Sequence, residues 1–417
     1  MSSANQSIDV APTSEKAPYT ALFLVVFISL VGFGIVIPVF PFFGQMVGAS
    51  AEEITLAMAA YSAGQFIGAP IWGRMSDRYG RRPILIWSLV ASIFAYILMA
   101  HATNIWWLGL SRLLGGLLAG NLAAAFAYVG DVTTDETRPK AMGLLGAAFG
   151  SGFIFGPAIG GFIAGAEPDP NDFLYIGYVS ALFTFIAAVL THLTVPESMS
   201  PERRMAAAAS RSGSAFQTLS LMKAKPVVFW LCVIMLLAVG SGALMEATFA
   251  FLAGDLFDWG PLEVGLSFAM IGTIAAIVQA FAAGPLAARF GEATVMTYSL
   301  IVHAGGLIVM GLAQSSMHLI FGLIAMSFGV GAFSPAYQSY TAAQSNDTDR
   351  GLVMGLTQSA GSLGRVFGPA ISGFLYVGIS KPAPFLIGGS MLLLTFVVCL
   401  FVVRRSQKRQ PATPVSH

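Results

Sequence analysis

Long runs of apolar residues, separated by short polar breaks, form the main pattern of this sequence. A helix that crosses the hydrocarbon core of a bilayer needs roughly 20 apolar residues, and twelve runs reach that length. The runs lie near residues 20–43, 54–73, 83–101, 105–130, 140–165, 172–195, 227–253, 262–287, 293–313, 317–342, 352–378 and 382–403. They are too long and continuous for the alternating strands of an outer-membrane barrel. The pattern predicts an all-α membrane protein with 12 transmembrane helices.

The composition supports a chain surrounded by lipid. Of 417 residues, 56% are hydrophobic and 10% are charged, whereas soluble proteins carry about 25% charged residues. A soluble enzyme is therefore excluded. The net charge of +1 and the absence of a basic face argue against a nucleic-acid partner. Because Cys232 and Cys399 both lie inside apolar runs, we expect no disulfide framework, no metal site and no cofactor.

The basic residues predict the orientation of the chain. Of the 21 Lys and Arg residues, 18 fall on one side of the membrane if both termini are cytoplasmic. The opposite loops carry acids instead: Glu52, Glu53, Glu167, Asp169, Asp172, Asp255, Asp258 and Glu263. Since cytoplasmic loops of membrane proteins are enriched in Lys and Arg, we expect a multi-pass protein of the bacterial inner membrane.

A long polar loop and an internal repeat divide the chain into two halves. We predict tails at 1–17 and 404–417, six-helix bundles at 18–195 and 227–403, and a cytoplasmic linker at 196–226. The halves match at an offset of 211–212 residues, which places Gly156-Pro157 over Gly368-Pro369. Two such pseudo-symmetric bundles indicate a transporter whose halves rock about a site near the midplane.

Two motifs combine glycines with charge or proline. The loop after the second span reads Gly73-x-x-x-Asp77-Arg78-x-Gly80-Arg81-Arg82, in which Asp77 and Arg81 can pair at the membrane surface. Simple anchoring of the chain by basic residues is the alternative for Arg82. The fifth span contains Gly152, Gly156, Pro157, Gly160 and Gly161. Small residues four apart let helix backbones touch in lipid, and proline bends a helix by removing a hydrogen bond.

These motifs resemble those of the major facilitator superfamily. The Gly73–Arg82 loop is similar to its signature loop, which implies that Asp77 and Arg81 latch the cytoplasmic side and that Asp131 joins them. The fifth-span motif is similar to the antiporter motif of the drug:proton antiporter branch. We expect it to seal the fifth helix against the eighth, and we expect Asp77 to meet the N-terminus of the eleventh helix when the latch is closed.

Two further segments refine the resemblance. The fourth-span segment Leu108-x-x-x-Arg112-x-x-Gly115-Gly116 is similar to the arginine motif of the same branch, with Gly115 where that branch commonly has Gln. The first span, Gly32-Phe-Gly-Ile-Val-Ile-Pro38-Val-Phe-Pro41, resembles the tetracycline-efflux subgroup. Ser29 stands where that subgroup has an Asp.

Ionisable residues inside apolar runs are candidates for proton coupling, because burying them in lipid costs roughly 2.5–3.5 kcal/mol each on insertion scales. Arg112, Glu246 and Arg365 are in this position. We expect Glu246 to pair with Arg365 and to bind the transported proton. The alternative is a permanent structural ion pair, and for His303 we favour a structural role.

The same resemblance implies which spans line a central cavity. Polar or aromatic residues on those spans are candidates for substrate contacts: Tyr61, Gln65, Asn121, Tyr128, Gln279, Tyr337, Gln338 and Gln358. An apolar pocket with a few polar groups suits an amphipathic organic compound.

The resulting hypothesis is proton-coupled export of lipophilic or amphipathic small molecules by a monomer. Export or flipping of a metabolite or lipid on the same scaffold is the alternative within transport. A membrane sensor or receptor is the alternative outside transport, and it would be expected to have lost the latch or the fifth-span motif. No constellation typical of a membrane enzyme is present in the sequence.

Overall fold

The computed structural model describes residues 18–134, 136–200, 202, 204, 221–222, 225–346 and 349–407. Within these ranges the chain is helical and contains no strand, so the all-α prediction is confirmed. The helices are α1a (Pro18–Val36), α1b (Phe40–Met46), α2 (Ala51–Tyr79), α3 (Arg81–Ala100), α4a (Ile105–Leu118), α4b (Asn121–Val132), α5 (Arg138–Ala164), α6 (Pro170–Thr194), α7 (Pro226–Phe257), α8a (Pro261–Ile277), α8b (Ala283–Phe290), α9 (Glu292–Gly311), α10 (Ser316–Ala343), α11 (Arg350–Gly378) and α12 (Ala383–Gln407). The predicted tail at 1–17 and most of the predicted linker lie outside the described residues.

Eleven segments of the described chain are long and apolar enough to cross a membrane. The remaining predicted span, α11, has 29 residues but no stretch as apolar as those in the other eleven. Its polar residues include Gln358, Ser359, Ser362 and Arg365, all of which line a central cavity. The lower hydropathy of α11 therefore reflects its position in the bundle, where part of its surface faces protein and water rather than lipid.

The helices pack in two groups of six, α1–α6 and α7–α12, which meet where α5 packs on α8a and α2 packs on α11. Successive helices run in alternating directions. The ends of α2, α4b, α6, α8b and α10 therefore share one face with the linker, which we call the linker face. The opposite face, where α2, α4a, α6 and α8a begin, is called the far face.

Three helices that begin on the far face have an N-cap side chain that accepts hydrogen bonds from the helix start. Ser50 and Glu53 form a reciprocal capping box at the start of α2, and Asp169 and Asp172 form another at α6. At α4a, the side chain of Asn104 accepts hydrogen bonds from the first backbone N–H groups. Such caps satisfy donors that a helix start otherwise leaves unpaired. Several acids that the sequence places in far-face loops are therefore structural caps.

Besides the first span, which breaks between α1a and α1b, two spans that the apolar pattern predicts as continuous contain breaks. Span four is interrupted at residues 119–120, where the indole of Trp72 packs against Gly120 and donates a 2.8 Å hydrogen bond to the Leu117 carbonyl. Span eight contains a π-helical turn, Val278–Ala282. Turns of this kind are frequent at functional sites, and this one includes the cavity residue Gln279. Both breaks therefore reshape the surface of the bundle around the cavity.

Candidate functional site

A cavity of about 1960 Å³ lies between the two groups of helices. Residues from α1 to α6 line one wall and residues from α7 to α11 line the other. A volume of this size exceeds the 300–1,000 Å³ of most small-molecule sites. The cavity therefore has room for an organic compound together with water.

The cavity is closed at the far face. There a β-carbon on Gly161 of α5 would lie 2.8 Å from the Pro261 carbonyl oxygen of α8a, and the Leu262 N–H donates to the Gly165 carbonyl at 3.1 Å. A β-carbon on Gly373 of α11 would lie 2.6 Å from the Glu52 Cα of α2. At this level the backbones of the two halves are therefore in direct contact.

The cavity is open at the linker face. Gly143, Gly146 and Gly150 of α5 line it, and a β-carbon on any of them would meet no other atom within 4 Å. The same is true of Gly355 near the start of α11. The halves are thus in backbone contact at one face and separated at the other, as expected for one state of a rocking mechanism.

Seven of the eight polar and aromatic residues proposed for the cavity lie on its wall. They are Tyr61, Gln65, Asn121, Gln279, Tyr337, Gln338 and Gln358. The exception is Tyr128, which is fully buried in the apolar cluster of the first half beside Val129 and Leu145. The prediction for Tyr128 is corrected, because its side of α4b packs against other helices of the same half.

Arg112 extends from α4a into a group of aromatic rings. Its guanidinium carbon lies 4.7 Å from the ring centre of Tyr61, 5.1 Å from that of Phe40 and 5.9 Å from that of Phe33. Cation–π contacts stabilise an arginine by about 0.5–2 kcal/mol each. They do not neutralise its charge, and no carboxylate lies within ion-pair distance of Arg112 in the described chain.

Glu246 of α7 and Arg365 of α11 face the same cavity from the second half. They lie within electrostatic range of each other. Both residues are described, and the structure shows no direct ion pair between them. The predicted contact is therefore absent in this state, in which Arg365 is exposed to the cavity and Glu246 is half-buried. This arrangement disfavours the permanent structural bridge.

His303 of α9 is buried against α7 and α10, where it contacts Gly242 and Gly329. It also lines the cavity. Its Nε2 atom has no hydrogen-bond partner among the described residues. The structural role expected for His303 therefore gains no hydrogen bond from this nitrogen among the described residues.

The charged residues of the Gly73–Arg82 loop converge at the linker face. Arg81 is only 10% exposed and contacts two carboxylates, with Nη1 2.6 Å from Asp77 and Nε 2.8 Å from Asp131. Gly80 has φ +105°, a conformation that favours glycine. A β-carbon on Gly73 would meet no atom within 4 Å, and the side chain of Arg78 lies over the ring of Tyr79.

The beginning of the linker completes this cluster, and sequence reasoning missed it. Glu197 accepts a hydrogen bond from the Arg81 backbone N–H at 2.9 Å, and the Ser198 hydroxyl donates to Asp131 at 3.1 Å. The only signal in the sequence is an acid directly after the sixth span, next to a loop rich in arginine. The linker is thereby attached to the α2–α3 turn.

At the other end of the linker, Lys225 binds the residue that precedes α11. Its Nζ lies 2.6 Å from Asp349 Oδ2. The hydrogen bond from this ammonium group holds the pKa of Asp349 below its ordinary value. The start of α11 therefore carries a neutralised carboxylate.

The glycines of the α5 motif contact two different helices. A β-carbon on Gly156 would lie 2.6 Å from the Gly34 Cα of α1a, and Gly152 and Gly160 face α1a in the same way. Of the motif glycines, Gly161 contacts α8a, and the Pro157 carbonyl oxygen packs against Gly265 of that helix. Part of the motif therefore makes the expected contact between α5 and α8, whereas spacing by four directs the first three glycines to α1a.

Substitution at these glycines gives a direct test of the packing. We expect Gly156→Ala to lower the melting temperature in detergent, because overpacking at a tight contact costs about 1–3 kcal/mol. Gly150→Ala is the matched control on the same helix, where a β-carbon has open space. Its melting temperature should stay the same or rise, since alanine is the better helix former. Equal stability of the two variants would contradict close packing of α5 on α1.

Comparison with known proteins places this architecture in a family. The protein-family model described as Major Facilitator Superfamily matches residues 22–283 and 247–416 of this chain. The tetracycline resistance protein, class E, of Escherichia coli is 31% identical over 357 residues, which cover 85% of this chain and 86% of that protein. Multidrug resistance protein 2 of Bacillus subtilis (strain 168) is 29% identical over 383 residues, covering 91% and 94%.

A solved structure shares the fold. It is that of a bacterial homolog of the human lysosomal transporter Spinster, in an inward-facing and occupied conformation. The TM-score is 0.76 at 15% identity, with 95% of this chain and 98% of that chain covered. This likeness shows the fold, and the family match identifies a multi-pass membrane transporter that handles small-molecule substrates. The chain belongs to the Major Facilitator Superfamily.

Proposed function

We propose that this transporter exports lipophilic or amphipathic small molecules in exchange for protons. The observation that carries the proposal is the chemistry of the cavity. Its wall is largely apolar, and Glu246 is the one carboxylate among the described residues that line it. A single acid in an apolar, accessible cavity can bind and release a proton. The arginines of the cavity cannot take this role, because arginine never deprotonates in proteins.

The linker face is, on this proposal, cytoplasmic. It carries most of the basic residues of the chain, whereas the far face carries capping acids, and the positive-inside rule favours this orientation in the inner membrane. The structure would then represent the state that loads substrate from the cytoplasm. Asp77, Arg81 and Asp131 would hold the linker face closed in the opposite state.

The relatives support export of foreign compounds. The class E and Bacillus proteins are named for resistance to tetracycline and to multiple drugs. The α5 motif is typical of antiporters in this branch. Ser29 replaces the acid of the tetracycline subgroup, and its side chain accepts a 2.8 Å hydrogen bond from Asn121. The test should therefore include compounds other than tetracycline.

The function is tested first in bacteria that lack their own efflux pumps. Cells that express the protein should tolerate higher concentrations of at least one amphipathic compound in a susceptibility panel. Everted vesicles should then take up that compound when the interior is acidic, and they should release protons as it enters. A protonophore should abolish both signals. Uptake that persists after the proton gradient collapses would contradict proton coupling.

A further inference from the structure

Arg112 lacks the counter-ion that a buried cation normally requires. The residue is only 8% exposed, its Nε is buried, and none of its nitrogens has a hydrogen-bond acceptor in the part of the chain that the structure describes. Its electrostatic partners are the phenol groups of Tyr61 and Tyr96. Buried charges in proteins are ordinarily paired. This one meets aromatic rings and the cavity.

The charge balance of the cavity leaves Arg112 without a partner from the other wall. Arg112, Glu246 and Arg365 are the arginine and carboxylate residues among the described lining. The electrostatic partner of Glu246 is Arg365, in its own half of the protein. With Glu246 ionised, the three side chains still sum to one positive charge, and that excess lies at Arg112.

We propose that Arg112 and its aromatic neighbours form a subsite for an acidic group on the substrate. The transported compounds would then be amphipathic anions or zwitterions. A guanidinium offers paired N–H donors that match a carboxylate, and contacts with Phe40 and Tyr61 hold its plane in place. The partly exposed rings of Phe33 and Tyr61 line the cavity and supply flat apolar walls for an aromatic body next to the acid. The inference rests on the proposed export function, whose substrate class it specifies.

A matched set of ligands tests the charge preference without a proton gradient. The full-length protein is reconstituted in lipid nanodiscs, and binding of 2-naphthoate, 2-naphthamide and 2-naphthylmethylammonium is measured by calorimetry at constant salt. The three share one ring system and differ in charge. The wild type should bind the acid at least about tenfold more tightly than the amide, since ionised acceptors bind arginine more strongly than neutral ones. Equal or tighter binding of the amide or the amine would overturn the proposal.

Two variants locate the preference. Arg112→Gln should weaken binding of the acid to the level of the amide, with amide binding changed by less than about twofold. Arg112→Lys should retain part of the preference, because it keeps the charge and loses the planar fork. A preference that survives Arg112→Gln and disappears in Arg365→Gln would overturn the assignment to Arg112.

Each variant is checked for folding by its tryptophan-monitored melting curve. If Arg112→Gln does not fold, the wild-type ligand series and the reduced preference of Arg112→Lys still decide the question. An unchanged preference in Arg112→Lys would then count against the subsite. Because binding is measured without a gradient, a negative result here is distinct from a failure of proton coupling in vesicles.

Discussion

Glu246→Gln should abolish export against a concentration gradient while substrate still binds. In everted vesicles with an acidic interior, we expect the initial rate of uptake to fall to the rate measured without a pH difference. The affinity for substrate should change by less than about threefold, since glutamine keeps the size and polarity of the side chain. Exchange of labelled for unlabelled substrate across the membrane should persist, because it needs no net proton movement.

The expectation follows from the surroundings of Glu246. Nearby Arg365 favours the ionised carboxylate, and removal of water favours the protonated one. In the present state Arg365 is exposed to the cavity and forms no direct ion pair with Glu246, both residues being described. When the halves rock, the first half approaches or leaves this wall of the cavity, so the water around the pair must change. A proton can then be taken up in one state and released in the other.

Glu263→Gln is the matched control for this experiment. Glu263 lies in the same half, outside the cavity lining, and accepts a 2.9 Å hydrogen bond from the Gly260 N–H. Glutamine can accept the same bond, so the control should transport as the wild type does. Gradient-driven uptake by Glu246→Gln with an unchanged pH dependence would move the coupling role to another acid, such as Asp77 or Asp131.

The fold could be predicted from the sequence because a helix that crosses a bilayer needs an apolar run of a defined length. Apolar runs of the required length mark the spans, and the repeat of Gly156-Pro157 at Gly368-Pro369 marks the two halves. Asp77 and Arg81 are four residues apart in one short segment, so the sequence already allows the pair that forms across the α2–α3 turn. The part played by Asp131 could come only from the family resemblance, because no local pattern joins residues 50 positions apart.

Features that depend on helix rotation and on neighbours could not be derived in this way. The spacing of Gly152, Gly156 and Gly160 defines a face of α5, but not that the face packs on α1a. The positions of Glu246 and Arg365 along their helices predicted that both lie near one cavity. Whether the two groups touch depends on the conformations of their side chains. The cavity position predicted for Tyr128 is wrong for the same reason. Adjacent positions on a helix can face either the cavity or the interior of one half.

Asp77→Asn should shift the protein away from the state in which the linker face is closed. Asp77 is 45% exposed here, and one of its oxygens accepts a 2.6 Å hydrogen bond from Arg81. Its other oxygen is available when the linker face closes against the N-terminus of α11. A carboxylate at a helix N-terminus is stabilised by about 0.3–1 kcal/mol. Lys225 neutralises Asp349 at this helix start, so the positive end of the helix remains attractive to Asp77.

Loss of about 1 kcal/mol from the closed state corresponds to about a fivefold change in its population. Spin labels at Arg74 and Gly351, both exposed at the linker face, report the opening by electron double resonance in a background without Cys232 and Cys399. The wild type should show a short and a long distance, and Asp77→Asn should enrich the long one. Glu136→Gln, which neutralises an exposed acid on the same face, should leave the distribution unchanged. Identical distributions for Asp77→Asn and the wild type would exclude Asp77 from the closing contact, and they would leave the Arg81–Asp131 pair as a structural feature of the first half alone.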